Sequence, residues 1–117
     1  MTTKFYPTVA TPGADSNNYT LFDSTSFSPG SWRQAAFKRM ILDLPCDQNG
    51  TLVEEKSNDD GATWIAVSSE AITAAAATST YREYAVEPYD DWRLYWTNGG
   101  SAQTLWGPSV SGDSEAL

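Results

Sequence analysis

The chain contains no histidine at all. That removes the commonest general base near neutral pH and the commonest metal ligand, and with it Ser-His and Cys-His nucleophile pairs and His-containing zinc sites. Cysteine is nearly absent too. The single Cys46 permits no intrachain disulfide, which suits assembly in a reducing cytosol. No basic neighbour in the Leu-Pro-Cys-Asp turn would lower its pKa, so Cys46 reads as structural. Positive charge is scarce: seven Lys and Arg stand against fifteen Asp and Glu, for a net charge of -8. Phosphate backbones are bound chiefly through Lys and Arg, so no nucleic-acid partner is expected, and an anionic membrane is disfavoured for the same reason. Long apolar runs are missing as well. The start, Met-Thr-Thr-Lys-Phe-Tyr-Pro, offers no signal-peptide core, and Ala71 to Ala77 is too short to span a bilayer.

What is present is aromatic bulk in a chain of one-domain length. Five Trp, six Tyr and four Phe occur in 117 residues, and such side chains favour strands and bury much surface each. Met40, Leu42 and Leu44 alternate with Arg39, Ile41 and Asp43, which predicts a strand with one apolar face. Thr51 to Lys56 and Thr63 to Val67 flank a Ser-Asn-Asp-Asp-Gly turn and predict a hairpin. Thr80 to Val86 is a further strand. Trp92, Leu94 and Trp96 alternate with Arg93, Tyr95 and Thr97, so the first three are expected inside and Arg93 and Tyr95 outside. Asn98-Gly99-Gly100 suits a tight turn, with Ala102 to Trp106 returning as a last strand. Ser68 to Ser79 is open between a helix, which its alanines favour, and a loop or short edge strand. Six to eight short strands and no long helix predict an all-β, antiparallel β-sandwich, jelly-roll or Ig-like.

The ends read differently. Residues 1–30 are rich in Thr, Ser, Asn, Pro and Gly yet carry spaced apolar groups, which predicts an extended N-terminal arm. Tyr19 to Phe22 is a candidate edge strand within it, and a free terminus is the alternative. Residues 31–107 form the expected sandwich, and residues 108–117 a flexible acidic tail. On this reading Phe5, Tyr6, Tyr19 and Phe22 of the arm, with Arg93 and Tyr95, are the candidate partner contacts.

The most specific motif is Ser57-Asn58-Asp59-Asp60-Gly61-Ala62-Thr63-Trp64. Ser57 and Asp59 supply short oxygens to turn amides, Gly61 permits the closing backbone angle, and Trp64 re-enters a strand. The segment resembles the Asp-box of sialidases and other β-propellers, where the box recurs once per blade away from the catalytic centre. Here it occurs once, so Ser57, Asp59, Gly61 and Trp64 are read as a structural turn. Asp59 and Asp60 match no calcium-loop spacing, so no metal is expected. Glu54-Glu55, Asp59-Asp60, Asp90-Asp91, Asp113 and Glu115 are read as solvated charges. Adjacent acids on a strand point to opposite faces, so Glu54 and Glu55 cannot line one catalytic cleft. No catalytic residue and no cofactor is expected, and the chain is read as a non-enzyme.

From Trp32 to Trp106 the pattern resembles small β-sandwich virion proteins of tailed phages. It is carried by Gly50-Thr51-Leu52, the Asp-box-like turn, the Trp-Arg-Leu-Tyr-Trp strand and the Asn-Gly-Gly turn. The resemblance implies a decoration or cement protein on a capsid, assembled in the host cytoplasm. Its implied partner is the major capsid protein or another virion protein, and it is a homo-oligomer on the particle. A carbohydrate-binding module or a tail or fibre component is the alternative.

Overall fold

The structure is a computed structural model, and it describes residues 2–5, 7–26, 37–74, 78–86 and 91–117. Among the described residues eight strands follow one another: β1 (Thr2–Phe5), β2 (Asn18–Asp23), β3 (Arg39–Cys46), β4 (Gly50–Ser57), β5 (Ile65–Ile72), β6 (Thr78–Ala85), β7 (Asp91–Asn98) and β8 (Ser109–Asp113). A 3-10 turn, Ser24–Ser26, follows β2.

The strands form two four-stranded sheets, ordered β1-β8-β3-β6 and β2-β7-β4-β5. Every strand pair is antiparallel. This double-sheet order, in which the first strand lies beside the last and the second beside the seventh, is that of a jelly roll. It decides between the two sandwich types the sequence left open.

Alternation builds the core. In β3, Met40, Leu42 and Leu44 are fully buried, and in β7 Trp92, Leu94 and Trp96 are 1%, 0% and 0% exposed. Leu52 of β4, Val110 of β8 and Leu21 and Phe22 of β2 complete the layer between the sheets. The period-two pattern of these segments therefore translates directly into a two-faced sheet.

Charge also enters this interior. Glu54 and Lys56 point inward from β4 and are 5% and 6% exposed. The Trp92 indole N–H donates to Glu54 Oε2 at 2.7 Å, and Lys56 Nζ donates to the carbonyl of Ala85 at 2.7 Å. At the open rim, Arg82 of β6 bonds Glu70 of β5 through Nε and Nη2, tying one sheet to the other. Burying such polar groups is costly unless partners like these replace water.

Four expectations require correction. The N-terminal arm is absent as such: β1 pairs with β8 and β2 with β7, so both segments are integral strands. The flexible tail is also overturned, because Ser109–Asp113 is β8, an internal strand between β1 and β3. Ala102 to Trp106 is not a strand and keeps only one isolated bridge, Cys46 to Trp106. Glu54, Asp91 and Asp113 are buried rather than solvated, Asp91 accepting a bond from the Ser24 hydroxyl at 2.7 Å. The body boundary at residue 31, Tyr6, Trp32 and Asp90 fall outside the described residues.

Candidate interaction face on the second sheet

The side chains that alternate with the core on β2, β7 and β4 form one outer face. Strand register sets them in three rows: Glu55, Arg93 and Asp23; then Val53, Tyr95 and Thr20; then Thr51, Thr97 and Asn18. On the central strands β4 and β7 these outward residues are half-buried by their neighbours, while the intervening ones are fully buried.

Arg93 is the centre of the first row. Its Nε donates to Glu55 Oε1 at 2.7 Å, and its guanidinium lies 4.2 Å above the Trp64 ring. A carboxylate thus fixes the plane of the guanidinium, and the indole face adds a cation–π contact. In the third row the Thr97 hydroxyl donates to Asn18 Oδ1 at 2.7 Å.

The Asp-box-like turn delivers Trp64 to this place. The Ser57 hydroxyl donates to Asp59 Oδ1 at 2.7 Å and accepts the amide of Gly61 at 3.0 Å, while Asp59 Oδ1 also accepts the amide of Thr63 at 2.8 Å. The Ser57 hydroxyl, followed by the Thr63 amide, holds the Asp59 carboxyl below its ordinary pKa. Gly61 adopts φ +85, and a Cβ there would meet Thr25 Cγ2 at 2.8 Å. The turn therefore requires glycine twice over, for its backbone angle and for its seat against the 3-10 turn.

The residues expected at the partner surface divide. Arg93 and Tyr95 share the outer face. Phe22 is 5% exposed and belongs to the core. Phe5 is half-buried, edge-on to Phe22 at 5.0 Å and to Phe37 at 5.8 Å. Tyr19 points inward from β2, its ring edge-on to Trp106 at 6.5 Å and its hydroxyl donating to Asp15 at 2.5 Å. All three lie on the edge strands β1 and β2 and belong to the core or pack against it. Tyr6 lies outside the described residues. Sequence reading missed Val53 and Thr51 as face residues, although the inward Leu52 and Glu54 beside them carry the same alternation.

A groove of ≈ 320 Å³ between β1 and β2 is lined by Phe5, Pro7, Leu21, Phe22 and Asp23 among others. Asp23 there is engaged by the Thr25 amide and hydroxyl at 2.9 and 2.6 Å. Among the described residues no group of three Cys, Asp or Glu side chains is placed to hold a metal ion. Cys46 is buried, and burial pushes its thiol pKa up.

Residues 1–107 match the family model described as the uncharacterised protein YqxG N-terminal domain. The chain belongs to this YqxG N-terminal domain family. By structure it is similar to the PBSX exported protein XepA, with a TM-score of 0.69 and 16% identity over 98% of this chain and 38% of XepA. The YqxG-type chain thus spans well under half of that protein's length. It is also similar to two crystal structures of the tobacco streak virus coat protein. Their TM-scores are 0.52 and 0.55, with 13% and 11% identity, and 88% and 86% of the coat protein chains are covered. A search of curated proteins finds no match. At these identities the structural matches show a shared jelly-roll-like sandwich.

Proposed function

We propose that this YqxG-type domain is a non-enzymatic structural protein of a tailed-phage particle, of the decoration or cement type, which binds the outer shell through the outer face of its second sheet. The observation that carries the reading is that face itself: Arg93 and Tyr95 of β7 turned outward between β2 and β4, with Trp64 of the preceding turn against the Arg93 guanidinium. Aromatic rings and arginine are the side chains that most often dominate interface energy. The net charge of -8 supports a basic docking patch on the shell, towards which an acidic body is steered. A coat-protein-like sandwich and a fold shared with an exported protein named from PBSX are both in keeping with life on a particle.

Two comparisons test the proposal. Particles carrying the chain should withstand heat and low salt better than particles lacking it. Arg93→Ala and Tyr95→Ala should each weaken rebinding to stripped shells by about tenfold, the effect of losing ~1.4 kcal/mol at an interface, while the free domain still unfolds in one cooperative transition. Equal resistance with and without the chain refutes the shell role. Binding on a glycan array that both substitutions abolish would instead assign the face to carbohydrate.

A further inference from the structure

The two sheets meet at their edges in unlike ways. On the β1–β2 side the closure is aromatic: Phe5 of β1 lies edge-on to Phe22 of β2 at 5.0 Å, with Phe37 edge-on to Phe5 at 5.8 Å. Contacts of this kind carry no charge for salt to screen. The β5–β6 side is polar. Cross-strand partners share a face of the sheet, so Ser68 and Glu70, opposite Glu54 and Leu52, turn inward from β5. Thr80, Arg82 and Tyr84, opposite the core residues Leu44, Leu42 and Met40, turn inward from β6. Within β5 only Ile72, at its far end, is buried.

Hydrogen bonds tie the sheets across this seam. Arg82 Nε donates to Glu70 Oε1 and Nη2 to Glu70 Oε2, each at 2.9 Å, and Lys56 Nζ of β4 donates to the Ala85 carbonyl of β6 at 2.7 Å. Behind them the Tyr84 ring lies 5.5 Å from that of Trp92, while the Tyr84 hydroxyl is buried with no hydrogen-bond partner. We infer that the sandwich opens along this seam, its sheets parting between β5 and β6 with the aromatic side as hinge and the Arg82–Glu70 pair as a salt-sensitive latch.

The energetics favour parting here over parting on the aromatic side. Removal of apolar surface from water is what chiefly resists separation, and Ser68, Glu70, Thr80 and Arg82 offer little of it. Opening also returns water to the Tyr84 hydroxyl, whose burial without a partner costs free energy in the closed form. No ladder bond need break, because β5 stays paired to β4 and β6 to β3. Against opening stands the latch. Its Arg82 and Glu70 side chains are 39% and 45% exposed, open enough for ions to screen the pair. Sub-global openings are drawn from the parts of a fold with the fewest buried apolar contacts. The device lies between the sheets and stands apart from shell binding, which uses the outer face.

The Trp92 indole N–H, bonded to Glu54 Oε2 at 2.7 Å, reports the opening through its hydrogen exchange, followed by NMR on the full chain. Its rate should depend only weakly on urea below the unfolding transition, the mark of an opening that exposes little surface. The core amides of β3 should follow the steep slope of global unfolding. Raising salt from about 10 mM to about 1 M shortens the screening length from about 30 to about 3 Å. That should speed Trp92 exchange about threefold, the effect of losing an exposed ion pair. Arg82→Gln and Glu70→Gln should each produce the same rise at low salt and remove the salt response. Arg39→Gln, which breaks ion pairs lying within the first sheet, should leave Trp92 exchange unchanged. An indole proton that shares the urea slope of the β3 amides exchanges only by global unfolding and overturns the inference. A rate that Arg82→Gln and Glu70→Gln leave unchanged, or that Arg39→Gln raises equally, overturns it as well.

Discussion

Gly50 opens β4 with the Trp96 ring lying directly over its α-carbon. A Cβ at this position would sit 2.1, 2.4 and 2.7 Å from Cζ2, Cε2 and Cη2 of that ring. The ring has little freedom to retreat. Trp96 is fully buried, its indole N–H donates to Asn98 Oδ1 at 3.1 Å, and Asn98 is itself held through its amide to the carbonyls of Gly13 and Ser101, both at 2.9 Å. Gly50→Ala alone would be worth about 0.5–1 kcal/mol of added stability in an uncrowded strand. Overpacking a rigid core costs about 1–3 kcal/mol, and three sub-van-der-Waals contacts place this site at the upper end. The expected net loss is about 2 kcal/mol, a fall of roughly 10 °C in melting temperature for a domain this small. Urea unfolding followed by circular dichroism reads it directly. The decisive comparison is a double-mutant cycle with Trp96→Leu, in which the clash has been removed and Gly50→Ala should be neutral or slightly stabilising. A coupling energy of about 2 kcal/mol is expected. A Gly50→Ala protein within about 0.5 kcal/mol of wild type, or an equal loss in both backgrounds, refutes the steric argument.

Two further outcomes follow from the corrected strand assignments. Deleting residues 1–30 removes β1 and β2, strips the cover from β7 and β8 and takes Leu21 and Phe22 out of the core; the truncated chain should lose its cooperative thermal transition, and a sharp melt near the wild-type temperature would show that these strands are dispensable. At the β1–β8–β3 junction, the Glu115 amide, the Arg39 guanidinium and the Thr2 hydroxyl hold the Asp113 carboxyl down at about 2, against an ordinary 3.8. A depressed folded value means that the stabilisation is complete above the unfolded pKa and is lost as pH falls through the folded one. The stability gap between wild type and Asp113→Asn should therefore be constant above about pH 5 and narrow between about pH 4 and 2; a gap that does not change with pH would contradict the assignment.

The legible part of this fold is the part whose pattern is local. Residues 39–46 and 91–98 carry a strict two-residue alternation, and the inward set of each is what lies in the core. The Ser57–Trp64 turn is specified by oxygens and a glycine within eight residues, and it forms as read. Strand β8 escaped notice because Ser109–Asp113 offers one apolar side chain, Val110; it is a strand only because β1 and β3 flank it. The bond from Thr2 to Asp113 spans almost the whole chain, and no window of sequence contains such a pairing. The N-terminal segment misled for a related reason. Its polar spacing suited an extended arm, whereas in the sandwich the same extension is strand, with Leu21 and Phe22 both turned inward at the register shift in β2.

Glu54 and Glu55 carry the same lesson to the interaction face. Alternation separates them, as adjacent residues of a strand must be, but their fates depend on partners supplied by β7. Glu54 turns inward and finds the Trp92 indole N–H; Glu55 turns outward and finds Arg93. Because Trp92 and Arg93 are themselves neighbours on β7, the register of β4 against β7 settles both contacts together. A slip of one residue would send Glu54 to the outside and the Trp92 side chain away from its acceptor, so this buried hydrogen bond opposes the one-residue slip. The outer position of Arg93 under Trp64 is then a consequence of how the core is satisfied. The face proposed to meet the shell is held in place by a hydrogen bond on the opposite side of the same sheet.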